Sequence, residues 1–302
     1  MRLDDFDPND VDIEDQRGRG GGGLGGMFGG GGGQGFRIGG GMGIGTILLL
    51  MAGAWMLGIN PLSVLGLVSG QQLSAPQSAP VQAGADAVSS CTIDAASRQS
   101  CNDLSSLNKT WRALFADRGH DFAKPKLVFY AQNGSSGCGA AQSAMGPFYC
   151  PEDGGIYLDT DFYRQMDEQL GAKGQFARDY VIAHEYGHHV QNLLGTSGKV
   201  HAAQQADQSQ ANRLSVRLEL QADCYAGVWA ARNRDRLEAG DMESGLHAAH
   251  QIGDDVLLQS AGRNANEAAF THGSAAQRMA WLKKGMERGD PAACNTFGTG
   301  GL

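Results

Sequence analysis

Val181-Ile182-Ala183-His184-Glu185-Tyr186-Gly187-His188-His189-Val190-Gln191 is the stretch from which the rest of the chain is best read. His184 and His188 stand four positions apart, so on a helix they share one face, a turn from each other. Two imidazoles so placed reach one zinc ion at about 2.0–2.1 Å. Glu185 lies about 100° further round the helix. It is thereby set off from the metal and poised over a water as a general base. Tyr180, Val181, Ile182 and Ala183 before the pair, and Val190, Leu193 and Leu194 after it, predict a buried helix. The alternative is a polar helix face with surface histidines. His189 points away from its neighbour and suits a supporting role better than ligation.

A catalytic zinc needs a third protein ligand and one open position. The next helical stretch reads Leu218-Glu219-Leu220-Gln221-Ala222-Asp223-Cys224-Tyr225-Ala226-Gly227, and Glu219 and Asp223 again lie four apart. Acidic groups in so apolar a stretch are costly in a dry core unless paired or bound to metal. Glu219 is assigned as the third ligand. Asp223 is assigned as acceptor of the far ring N–H of a ligand histidine, which fixes its tautomer. Asp223 as the ligand, or an exposed acidic face, are the alternatives. A third segment, Phe270-Thr271-His272-Gly273-Ser274-Ala275-Ala276-Gln277-Arg278, offers Ser274 as the N-cap of a further helix. His272, just before that helix, is placed to donate to the oxyanion of a tetrahedral intermediate. A lone loop histidine is more often structural, and His272 gains meaning only beside the other two segments.

Outward from these motifs the chain reads as α+β. From Thr160 onward it looks helical, with breaks near Gly171, Gly195, Gly240, Gly262 and Gly273. Before that, Phe148-Tyr149-Cys150 and Ile156-Tyr157-Leu158 flank Pro151-Glu152-Asp153-Gly154 as a hairpin. Lys126 to Tyr130 is a strand candidate, and Asp103 to Asp117 carries the apolar spacing of an amphipathic helix. A small sheet followed by a mostly helical half is the expected architecture.

The N-terminal third is different in kind. Glycine fills 18 of the 28 positions from 18 to 45. Residues 1–37 therefore read as a disordered, Gly-rich tail, too poor in apolar surface to offset its chain entropy. No charged residue occurs between Arg37 and Asp86. Within that gap residues 38–60 are just long enough and apolar enough for one transmembrane helix. A cleaved signal peptide and a buried helix are the rivals. Arg2, Arg17, Arg19 and Arg37 precede the span and no Lys or Arg follows until Arg98, which predicts a cytoplasmic N-terminus and an exported remainder. Residues 61–90 read as a linker and 91–302 as the zinc domain. A net charge of -8 without a basic stripe excludes a nucleic-acid partner. All six cysteines follow the span, which suggests disulfides, although six allow 15 connectivities. Cys138–Cys150 is expected because the two flank a short segment beside the hairpin; Cys224–Cys294 and Cys91–Cys101 complete the set, and reduced thiols are the alternative.

The His-Glu-x-x-His helix, the Glu-x-x-x-Asp helix and the Thr-His-x-Ser…Arg segment, in that order, look like a gluzincin-type peptidase. Their layout is similar to that of the membrane peptidases of the CAAX-protease and heat-shock HtpX type. More closely, the chain resembles the bacterial putative neutral zinc metallopeptidase family. The resemblance rests on the segment Asn9 to Arg19, on Gly146-Pro147-Phe148-Tyr149-Cys150-Pro151, on the zinc helix, on Arg217 to Cys224 and on Gly253-Asp254-Asp255. It covers nearly the whole chain. It implies a zincin-like fold, bound Zn2+ and hydrolysis of peptide or protein substrates outside the cytoplasm. The expectation is thus a zinc metalloendopeptidase, anchored by a single pass in a bacterial inner membrane with its catalytic domain periplasmic. A non-catalytic or latent zinc-binding module of envelope assembly is the rival from another class.

Overall fold

The structure is a computed structural model that describes residues 1–17, 85–169, 171–172 and 174–298. Its elements are β1 (Asp12–Asp15), α1 (Ala85–Thr92), α2 (Ala95–Ala116), β2 (Lys126–Tyr130), β3 (Asn133–Ser136), β4 (Gly139–Gln142), β5 (Phe148–Cys150), β6 (Gly155–Asp159), α3 (Phe162–Gln169), α4 (Gln175–Leu193), α5 (Thr196–Ala206), α6 (Ala211–Arg232), α7 (Asp241–Gln251), α8 (Asp254–Ser260) and α9 (Ala275–Arg288). Mixed α+β architecture is observed, with the sheet in the first half and helices dominating the second.

Lys126-Leu127-Val128-Phe129-Tyr130 has no polar alternation because both its faces are covered. Leu127 and Phe129 join Ile156 and Leu158 in the main core with α2 and α4. Val128, Tyr130 and Tyr157 point to the opposite face and pack with Ala141 and Cys150. The sheet order is β1-β2-β6-β5. β1, β2 and β6 run parallel, and β5 returns antiparallel to β6 with Phe148 opposite Tyr157. The expected hairpin is therefore present, but Tyr157 lies on an interior strand. β5, not the strand of Tyr157, forms the edge of the sheet.

Residues 1–17 correct the reading of 1–37 as a disordered tail. Asp12 to Asp15 pair with Lys126 to Phe129 as β1. Met1, Leu3 and Val11 are buried in the main core. Polar side chains hold the segment in place. Gln16 takes a hydrogen bond from the Ser135 N–H and donates to the Ser135 carbonyl, each at 2.9 Å. Arg17 donates to the Ser90 carbonyl at 3.0 Å and lies over the Phe129 ring. Residues 85–90, placed in the linker, belong to α1. The greater part of the tail and linker, and the whole span 38–60, lie outside the described residues. Among the described residues no helix is long and apolar enough to cross a membrane.

β1 precedes residues 38–60 and β2 follows them, yet the two are hydrogen-bonded neighbours. A single crossing between them would put adjacent strands of one sheet on opposite sides of a membrane.

Three disulfides tie the domain, Cys91–Cys101, Cys138–Cys150 and Cys224–Cys294. These are the expected pairs, and no described cysteine is free. The last fastens α6 to the chain after α9. The first fastens α1, against which β1 packs, to α2.

Candidate metal centre

α4 carries His184 and His188 through the middle of the molecule, with Tyr180, Ile182, Ala183, Tyr186 and Val190 all buried. α6 crosses it closely at Gly187. A Cβ at that glycine would lie 2.9 Å from the Ala222 Cα and carbonyl oxygen, nearer than real side chains approach backbone. Glycine inside a helix is destabilising by roughly 0.5–1 kcal/mol relative to alanine. Here it lets Glu219 and Asp223, on the turns flanking Ala222, meet the two histidines.

His184, His188 and Glu219 offer ligand atoms that all lie within 4.8 Å of one another. His184 Nε2 is 3.1 Å from Glu219 Oε2, and His188 Nε2 is 3.4 Å from Glu219 Oε1. Tetrahedral zinc with bonds of 2.0–2.1 Å sets neighbouring donors about 3.3 Å apart. The two histidine–carboxylate separations match that spacing, and the donor chemistry, two imidazoles and one carboxylate with a fourth position open, suits zinc. Burial works to lower the His184 pKa, but Asp223 and then Glu219 raise it to about 10. Burial likewise opposes charge on His188, and Glu219 outweighs it. Glu219 would be raised by its own burial, yet His188 and His184 hold it well below the carboxylate range. The cluster thus demands positive charge at its centre, which protons supply when no metal does.

The groups around these three orient them. His184 Nδ1 lies 2.8 Å from Asp223 Oδ1. Asp223 also accepts from the Tyr180 hydroxyl at 2.6 Å and from Arg278 at 3.0 and 2.9 Å. Burial would raise the Asp223 pKa, but Arg278 foremost, with His184, lowers it to about 2. His188 Nδ1 lies 2.9 Å from Gln191 Oε1, and Gln191 in turn donates to the Leu218 carbonyl at 2.7 Å. His189 faces away, with Nε2 2.7 Å from the Ala123 carbonyl and Nδ1 3.2 Å from the Tyr149 hydroxyl.

Glu185 is buried beside the two histidines without joining the three-residue cluster. Burial raises its pKa, opposed by His184, His188 and a hydrogen bond from the Tyr149 backbone N–H. The edge strand β5 thereby reaches the zinc helix. His272 sits in the loop between α8 and α9, and its side chain is 40% exposed. Gly273, at φ +96°, makes the turn that only glycine takes easily, and Ser274 then caps α9. Asp254 clasps this loop. Its Oδ2 accepts the N–H groups of Thr271, His272 and Gly273 at 2.8, 2.7 and 3.1 Å, and its Oδ1 lies 3.1 Å from His272 Nδ1. His272 Nε2 is left for the cavity that the residue lines.

The structure therefore brings together every site residue chosen from the sequence: Glu185 and His272 with His184, His188, Glu219 and Asp223. The roles of Tyr180, Gln191, Asp254 and Arg278 were missed. Gln191 carried a readable signal, lying three residues after His188 on the same helix face. Arg278 and Asp254 carried only their place in quoted motifs, because the partners that give them meaning are distant in the chain.

The family described as "Putative neutral zinc metallopeptidase" matches residues 5–297. The uncharacterized protein YpfJ of Escherichia coli strain K12 is 46% identical over 254 residues, covering 83% of this chain and 86% of that protein. The uncharacterized protein Rv2575 of Mycobacterium tuberculosis strain H37Rv is 42% identical over 210 residues, 65% of this chain and 69% of that one. No solved structure matches the chain. The family match begins at residue 5, within the segment that closes the sheet through β1, and it runs past the last helix. On a match of that extent, the chain belongs to the putative neutral zinc metallopeptidase family.

Proposed function

We propose that this chain is a zinc-dependent endopeptidase acting on peptide or protein substrates outside the cytoplasm. The observation that carries the reading is the convergence of His184, His188 and Glu219, with Glu185 buried alongside, on one cavity of about 490 Å³. That size suits a bound peptide segment. His184, His188 and Glu219 would hold the metal. Zinc, when bound, supplies a Lewis acid that activates water and polarises a carbonyl.

The chain's own residues do the rest. Glu185 accepts a proton from the attacking water on its carboxylate and delivers it to the leaving amine. Burial raises its pKa, the direction that favours taking up that proton. His272, steadied by Asp254, donates to the oxygen that gains charge. Asp223 and Arg278 fix the orientation of His184. β5 leaves its outer edge unpaired among the described strands and runs beside Glu185, so an extended substrate is held there by strand addition.

The three disulfides support an oxidising compartment. Because β1 and β2 share a sheet, residues 1–17 are proposed on the same side as the domain.

The test measures metal content and cleavage of a broad peptide library by the full chain, wild type beside Glu185→Gln. Both proteins should carry about one zinc, and the variant should turn over ~10²–10⁴-fold more slowly. Full zinc with no cleavage of any peptide by the wild type would sink the peptidase and favour a non-catalytic zinc-binding module of the envelope.

A further inference from the structure

A neutral imidazole carries one hydrogen, on Nδ1 or on Nε2, and only the bare nitrogen can bind a metal. His188 turns Nε2 toward Glu219, at 3.4 Å, so its hydrogen belongs on Nδ1. At His184 the same choice is made by the Asp223 carboxylate beside Nδ1, which can only accept. At His188 the partner of Nδ1 is instead an amide, with Gln191 Oε1 at 2.9 Å. An amide can present either its oxygen or its NH2 group. Only the oxygen selects the hydrogen on Nδ1, so Gln191 has to be held one way round.

Two backbone carbonyls hold it. Gln191 Nε2 donates to the Leu218 carbonyl at 2.7 Å and to Gln221 Oε1 at 3.1 Å. Gln221 Nε2 donates in turn to the Cys294 carbonyl at 3.0 Å. A carbonyl oxygen accepts and never donates, so the series runs in one sense only. The Cys294 carbonyl draws the NH2 end of Gln221, which turns its oxygen toward Gln191. That oxygen and the Leu218 carbonyl take the amide hydrogens of Gln191, which turns its own oxygen toward His188. Gln191 and Gln221 are 0% and 6% exposed, so an amide turned the wrong way would set oxygen against oxygen with little water to intervene.

The far end of the series is anchored. Cys294 closes the short segment Pro291–Cys294 that follows α9. Its disulfide runs to Cys224 on α6, three residues after Gln221 and on the same helix face. Thr296 donates to the Arg217 carbonyl of the same helix at 2.8 Å. Cys224, Cys294 and Thr296 are all fully buried. α9 presses on α6 at this level, where a Cβ at Gly285 would lie 2.0 Å from the Cys224 carbonyl oxygen.

On the assignment of zinc to His184, His188 and Glu219, on which this rests, we propose that Gln221 and the disulfide-held Cys294 carbonyl are positioning elements of the metal centre. Through Gln191 they keep the hydrogen of His188 on Nδ1 and leave its Nε2 open to zinc. The Cys224–Cys294 disulfide is thereby coupled to metal retention as well as to the stability of the fold.

The test measures zinc affinity of the full chain by competition with a chelator, beside the melting temperature of the zinc-free chain. Gln191→Leu should weaken zinc binding ~10–100-fold, as for other outer partners of a metal-bound histidine. Gln221→Leu, one step further out, should weaken it ~10-fold. Combined with Gln191→Leu it should add nothing, because its effect passes through Gln191. Cys224→Ser together with Cys294→Ser should match Gln221→Leu and add nothing to it. Gln191→Glu separates orientation from packing. Its carboxylate still accepts from Nδ1 but has no hydrogen for Leu218 or Gln221. It should melt at a lower temperature and yet bind zinc at least as tightly as wild type. Should the double serine variant fail to fold, Gln221→Leu and Gln191→Glu keep every disulfide and decide the matter.

Unchanged zinc affinity in Gln221→Leu overturns the series and leaves the zinc centre standing. So do losses that add across Gln191 and Gln221, and so does a Gln191→Glu chain that loses zinc affinity along with its melting temperature. A wild-type chain that takes up no zinc removes the series and the metal centre together. Zinc affinity is read without a substrate, so failure of the peptidase reading is seen separately, in the absence of cleavage.

Discussion

Helix α4 meets buried carboxylates of other helices at two places, and the two are electrostatic opposites. Toward its N-terminal end Asp179 faces Asp103, both wholly buried. Asp179 accepts from Gln99 and lies 3.5 Å from the Met1 amino group. Asp103 has no such cation of its own. Burial, and then the charge on Asp179, push its carboxyl well above the usual range. Asp179 is raised by burial to about 6, with Gln99 and the amino group holding it back. Five residues on from Asp179, His184 meets Asp223, which is equally buried yet lowered to about 2 by Arg278 and His184. Burial pushes all three carboxyls the same way. The partner decides the sign. A carboxylate facing a carboxylate keeps a proton, whereas one facing a guanidinium and an imidazole stays ionised and can hold a ligand histidine in one tautomer.

The sharpest way to break this comparison is to remove the cation from the reactive side. Arg278→Met takes from the buried Asp223 carboxylate its guanidinium partner and leaves it only Tyr180 and His184. It should lower stability by ~3–5 kcal/mol in urea unfolding of the metal-free chain. A loss under about 1 kcal/mol would mean that Asp223 takes up a proton as Asp103 does, and the two sites would no longer differ in kind.

The next effect is on metal. Asp223→Asn keeps shape but removes the charge that fixes His184. Zinc affinity, measured by competition with a chelator, should fall ~10–100-fold. Glu219→Ala should weaken binding by more, since it removes a ligand. Zinc held as tightly in Glu219→Ala as in wild type, and lost in Asp223→Asn, would make Asp223 the third ligand.

The smallest effect lies at the other pair, and it has the opposite sign. Asp103 and Asp179 have raised folded pKa values, so the folded state holds protons that an unfolded carboxyl gives up near 3.9. Their contribution is full below that value. It declines as pH rises through about 6 for Asp179, and further where Asp103 ionises. Asp103→Asn removes the like-charge conflict. It should be neutral or stabilising by ~1 kcal/mol at pH 8 and should flatten the pH dependence of urea unfolding. A loss as large as that in Arg278→Met would show that Asp103 is an ionised, paired carboxylate after all.

Most of the reactive side of α4 was legible in the chain because helical spacing is local. Four residues along a helix return a side chain to the same face, so His184 with His188, and Glu219 with Asp223, could be grouped before any contact was known. The same holds for β2, whose unbroken apolar run reports burial on both faces, and for the Ser274 cap. What was not legible is what depends on long-range partners. Asp12-Ile13-Glu14-Asp15 is polar and precedes a glycine-rich stretch, so nothing in it announces a strand; only the open edge of β2 and the anchoring of Gln16 and Arg17 make it one. Tyr157 and Phe148 looked equivalent as hairpin partners, and the parallel neighbour β2 buries one strand and leaves the other at the edge. Arg278 and Asp254 are ordinary charged residues until α9 and its preceding loop fold onto α4 and α6.

The sequence by itself determined the chemistry of the centre: which side chains share a helix face, and which helix can carry a metal pair and a base. Tertiary structure alone decided the ionisation of the buried acids, the membership of residues 1–17 in the sheet, and the joining of Cys224 to Cys294. The physical reason is range. Dihedral geometry propagates over one or two turns of backbone, whereas desolvation, ion pairing and cavity shape arise where segments remote in sequence are brought within a few ångströms of each other.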